Sequence, residues 1–125
     1  GMVREAAAKA TDEDIDRLKD ILADQRSQRG NAEAFMAADM KFHNAIAAIS
    51  GNPIYAATSE AMLGWLKEYH TELLIWSGKE KFTLDEHEEI IDQISAHDPD
   101  KAEAAMVKHL ERSRSLYSLS AGNHA

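Results

Sequence analysis

The segment DMKFH, residues 39 to 43, sets a carboxylate four residues ahead of an imidazole. On a helix this spacing puts Asp39 and His43 on one face, with roughly 5–6 Å between their Cβ atoms, close enough to hold one ion. Asp39 also falls on an apolar stripe: Phe35, Asp39, Phe42, Ile46 and Ile49 recur in steps of three and four. Two further histidines occupy equivalent positions, His87 among Leu84, Ile91 and Ile94, and His109 among Ala102, Met106, Ser113 and Leu116. A carboxylate at a core position costs several kcal/mol or takes up a proton unless a cation or donors compensate it. One carboxylate and three imidazoles from three helices make a site for a divalent metal ion: zinc, nickel, manganese or iron, with no choice among them. An octahedral ion there would keep open positions for water or a small molecule, and a tetrahedral one would be closed. The plainer alternative is a set of hydrogen-bonded core histidines, which requires a separate partner for each.

The elements that must carry these residues are all helical. Proline is rare, glycine sits at segment edges, and Ala, Glu, Lys and Leu dominate. Thr11 to Asp14 has the form of a capping box, and Ile15, Leu18 and Leu22 follow at helical spacing, giving a helix over about 12–28. Asn31 caps the helix that bears Asp39 and His43, and Gly51 ends it. Asn52-Pro53 starts a third helix with the stripe Met62, Leu66, Tyr69, Leu73 and Trp76, ending at Ser77-Gly78. KEKF is expected to be a loop, with Thr83 and Glu86 as a second capping box for a helix ending near His97. Asp98-Pro99 starts the last helix, which frays into the polar tail SAGNHA. Residues 3–10 read as the end of an earlier helix. The expected architecture is one domain over residues 1–125, an antiparallel bundle of about six helices.

Composition excludes several functions. Acidic residues outnumber basic ones, 22 to 14, for a net charge of −8, so this chain alone should not bind DNA. No cysteine is present, which removes disulfides, thiolate metal sites and cysteine nucleophiles and fits a cytoplasmic setting. No run of about 18 apolar residues or secretory signal occurs, so no membrane role is expected. Gly1 before Met2 reads as a residue left by removal of a purification tag.

The remaining conspicuous residues have everyday roles available. Trp65, Tyr69 and His70 lie on or beside the third helix's stripe, where core packing competes with a place in a ligand pocket. His97 ends a helix, where it would meet the negative end of the dipole, and His124 belongs to the tail. The run Asp85, Glu86, Glu88 and Glu89 opens a helix and is expected to be mostly solvated.

With these residues in place, the sequence resembles the FCD domain, the all-helical C-terminal effector-binding domain of the FadR branch of GntR-type transcription regulators. The resemblance rests on DMKFH followed by SGNP at 39–53, DEHEEIIDQISAHDPDKAEAAM at 85–106 and KHLERS at 108–113, and it runs from Thr11 onward. It implies a bundle of six or seven helices holding a divalent metal on Asp39, His43, His87 and His109, with a small organic acid bound against the ion. It further implies a homodimer and a winged helix-turn-helix DNA-binding domain ahead of this one, missing here, and a first effector-domain helix clipped to residues 3–10. The family often has arginines in the stretch corresponding to 65–78, where this chain reads WLKEYHTELLIWSG, leaving Lys67 and His70 as weak substitutes for a carboxylate clamp.

The function expected is therefore effector sensing without catalysis. Two rivals are a metal-dependent enzyme using His70 as general base and a structural helical interaction domain.

Overall fold

A computed structural model describes residues 2–54, 57, 58, 61 and 78–124, with side chains as far as Arg112. Five helices are described, with no strand among the described residues: α1 Met2–Lys9, α2 Asp12–Ser27, α3 Ala32–Ser50, α4 Glu80–Ser95 and α5 Pro99–His124. The expected third helix is represented only by helical residues at 53, 54, 57, 58 and 61, and Trp65, Tyr69 and His70 lie outside the described residues. None of the described helices is long and apolar enough to cross a membrane.

The local signals set most of the boundaries. The Thr11 hydroxyl accepts from Asp14 N–H at 3.1 Å while the Asp14 carboxylate accepts from Thr11 N–H at 3.0 Å, completing the capping box of α2. Asn31 Oδ1 accepts from Ala34 N–H at 3.1 Å at the start of α3. Gly51 ends that helix at φ 76°, a left-handed conformation that costs a side-chain-bearing residue about 1–2 kcal/mol. Lys9 donates to the Ser50 carbonyl at 3.1 Å, satisfying an end carbonyl of α3 from α1. Asp98 caps α5 through Lys101 N–H at 3.0 Å, with Pro99 as its first residue.

Three expectations change. KEKF is not a loop, because α4 already begins at Glu80, with no side-chain cap. Thr83 is consequently no N-cap: its N–H donates to Lys79 O at 3.1 Å inside the helix, and its side chain is buried. His97 closes α4 as its left-handed C′ residue: at φ 54° its N–H donates to Ile94 O at 3.0 Å and Asp98 N–H to Gln93 O at 3.1 Å, while its Nδ1 meets the Ala7 carbonyl at 2.8 Å, in the last turn of α1. Its ring thereby serves an end carbonyl of a second helix, α1. The SAGNHA tail continues α5 to His124 rather than fraying at its start.

The core draws on all five described helices. Leu18, Phe42, Ile46, Ile90 and Ile94 have no exposed surface, and Phe35, Leu84 and Ile91 have almost none. Helix α1, though only two turns long, packs against α3, α4 and α5, and Ala6 and Ala7 are fully buried. Their small side chains allow that close approach, which brings the inner face of α1 into the core. Helix α3 packs on α2 as well as on α1, and α4 packs on both α2 and α5. The inner faces of α2, α3, α4 and α5 therefore meet, and polar residues placed on those faces must find one another.

Candidate metal centre

Helix α3 presents Asp39 and His43 one turn apart, α4 presents His87 and α5 presents His109. All four are buried, with relative exposures of 9, 5, 0 and 3 %, and one ligand atom from each lies within 4.8 Å of the others. The three residues that periodicity sets at core positions and His43, one turn from Asp39, thus converge. His87 Nε2 is 3.3 Å from Asp39 Oδ1, and His43 Nε2 is 4.0 Å from the same oxygen. The His43 and His109 rings lie nearly parallel, 5.4 Å apart, while His87 stands edge-on to both. Phe42 stacks on His87 at 4.0 Å with 13° between the planes and walls off that ring.

The outer side of the cluster is occupied by residues the periodicity had not marked. Gln25, fully buried at the end of the α2 stripe, donates from Nε2 to Asp39 Oδ1 at 3.4 Å and accepts at Oε1 from His87 Nδ1 at 2.9 Å. Its position three residues after Leu22 was the available signal: a polar side chain continuing an apolar stripe. Glu86 is not the solvated or capping residue expected from its acidic neighbours. Its Oε1 accepts from His109 Nδ1 at 2.6 Å, and both of its oxygens accept from Arg112 Nε at 2.9 and 2.8 Å. Arg112 Nη2 donates in turn to the Thr83 hydroxyl at 2.7 Å.

These bonds define the imidazole protons. Gln25 aims its amide nitrogen at a carboxylate, so its oxygen faces His87 and requires a proton on His87 Nδ1. Glu86 can only accept, so His109 also carries its proton on Nδ1. Both Nε2 atoms then bear lone pairs, and they face each other at 3.3 Å. Two lone pairs at that distance repel unless a cation stands between them. Burial drives His87 below its ordinary pKa and takes His43 down to about 3, against the attraction of Asp39. Burial pushes Asp39 upward, but the imidazoles around it outweigh this and hold its carboxyl below the usual carboxylate range. For Glu86, burial is likewise outweighed by hydrogen bonds from His109 and Arg112, and its carboxyl stays ionised. The cluster offers one carboxylate oxygen and three imidazole nitrogens, all buried. The donor set fits a divalent ion.

The FCD domain family pattern matches residues 1–112. The chain is 38% identical over 111 residues to the HTH-type transcriptional repressor NanR of Escherichia coli (strain K12), covering 87% of this chain and 42% of that protein. The same repressor of Cronobacter sakazakii is 36% identical over 114 residues, covering 87% of this chain and 43% of that protein. This sequence therefore spans less than half the length of the curated relatives it matches. The chain belongs to the FCD domain family of GntR-type transcription regulators.

Proposed function

We propose that this chain is the effector-sensing domain of a transcription regulator, in which Asp39, His43, His87 and His109 hold a divalent metal ion and a small organic acid binds against it. The observation that carries the reading is the convergence of Asp39, His43, His87 and His109, all buried, with one ligand atom from each within 4.8 Å of the others. Such a centre supplies a Lewis-acidic anchor for an anionic oxygen when the ion is bound. The charge count favours an acid as the effector: a divalent ion with one carboxylate and three neutral imidazoles leaves a net positive centre, and Arg112 offsets Glu86. Nothing in that balance attracts a cationic ligand.

The relatives are named as HTH-type repressors, and regulation rather than catalysis is the matching role for this domain. In the full protein, effector binding shifts the balance between helix arrangements and so alters how an N-terminal DNA-binding domain is presented. The regulator acts as a cytoplasmic homodimer, with DNA contacted through that other domain and not through this acidic chain. Metal analysis of protein purified without chelator tests the reading, alongside Ala variants of the four residues. Near-stoichiometric metal in the wild type and its loss from each variant are expected; a metal-free wild type that also fails to take up zinc or nickel overturns it.

A further inference from the structure

The residues behind the cluster differ in kind. His87 is backed by a neutral amide that also touches Asp39, and His109 by a carboxylate locked to an arginine. An imidazole needs its outer N–H fixed if its inner nitrogen is to be a ready ligand, and an anionic partner also raises the basicity of that nitrogen. Both imidazoles meet the first requirement, and His109 meets the second.

Building on the metal reading above, we infer that Gln25 and Glu86 are positioning residues that set His87 and His109 as Nδ1–H tautomers before any ion arrives, with Arg112 holding Glu86 in place. Gln25 is the more economical device, since one amide orients an oxygen ligand and a nitrogen ligand from two helices, α3 and α4. It does so from a third helix, α2, so the packing of α2 becomes part of the site. Glu86 works differently. It sits one residue before His87 on α4 yet serves His109 on α5, so each of these neighbouring residues fixes a different corner of the centre. Arg112, three residues after His109, returns to Glu86 and Thr83 and ties one turn of α5 to α4. Its guanidinium lets Glu86 orient His109 without adding net negative charge near the ion.

The two residues have separable signatures. Long-range proton–nitrogen NMR on chelator-treated, 15N-histidine-labelled protein reads the tautomers directly, without metal. The wild type should show both His87 and His109 protonated at Nδ1. Glu86→Ala should give His109 a mixed tautomer and leave His87 as it was, Gln25→Ala should do the reverse, and the isosteric Glu86→Gln should preserve the His109 tautomer because its amide oxygen still accepts. Zinc affinity, from competition with a chromophoric chelator, should fall about 10- to 100-fold in Glu86→Ala and Gln25→Ala, and by less in Glu86→Gln. An Nε2–H tautomer for either ring in the wild type, tautomers unmoved in both Ala variants, or zinc affinities equal to wild type all overturn the inference. A wild type with both Nδ1–H tautomers that takes up no zinc overturns the metal reading instead, while the orienting roles stand.

Discussion

The Nε2 atoms of His87 and His109 face one another at 3.3 Å, each on a ring whose Nδ1 is already committed to another side chain. Without a cation this arrangement is held open by the surrounding packing against lone-pair repulsion and against a buried, ionised Asp39. Much of the stabilisation from an ion should therefore appear as folding stability. Saturation at about a thousand times Kd adds about 4 kcal/mol, and the midpoint of thermal unfolding should rise by roughly 10 °C or more when zinc is restored to chelated protein. Differential scanning calorimetry with and without chelator checks this; overlapping transitions would contradict it.

Acid should destabilise the metal-free protein early. His43, at about 3 in the folded state against about 6.5 unfolded, binds a proton more readily in the unfolded chain throughout that interval. Its folded-state pKa is depressed, so the stability tied to its neutral form is fully present above pH about 6.5 and is lost as pH falls toward 3. His87 is shifted in the same direction, and Asp39 and Glu86, also depressed, add losses below the normal carboxylate range. Urea midpoints measured from pH 7.5 to 4.5 should fall steadily, and His43→Asn should flatten the slope. A midpoint that rises on acidification would refute the downward shifts of His43 and His87.

Phe42 couples the core to the centre. It has no exposed surface and covers one face of His87, so Phe42→Ala should cost about 3–5 kcal/mol in unfolding free energy and weaken zinc binding as well. Phe42→Leu should recover most of the stability and less of the affinity, since it fills volume without the flat contact. Parallel denaturation and metal titrations separate the two effects.

Gly51 supplies the contrasting case. A Cβ there would meet only Lys9 Nζ, at 3.8 Å, so space is not the constraint; the φ of 76° is. Gly51→Ala should lose about 1–2 kcal/mol of stability and leave zinc affinity unchanged. A matching drop in affinity would mean that the end of α3 communicates with Asp39 and His43 through more than the helix itself.

The distance between reading and structure is clearest at α4. Thr83 and Glu86 satisfy the spacing of a capping box, and in the sequence nothing distinguishes them from Thr11 and Asp14, where the box forms. At Thr83 the hydroxyl and the carboxylate three residues on had partners on α5, Arg112 and His109, and charge-assisted bonds to these prevailed over a local cap. Gln25 was overlooked for a similar reason: an uncharged amide ending a stripe has little local meaning until Asp39 and His87 stand beside it.

Periodicity by itself determined that the chain is helical, where α2 and α3 begin and end, and that Asp39, His87 and His109 face inward, because each depends on residues within a turn or two of one another. His43 followed from its one-turn spacing to Asp39. Tertiary structure decided which side chains stand behind them, that the His97 ring reaches α1, and that a two-turn α1 packs against three other helices. Those choices are made between segments far apart in the chain, where burial leaves each polar group the partners that packing brings within reach, and no local spacing encodes that meeting.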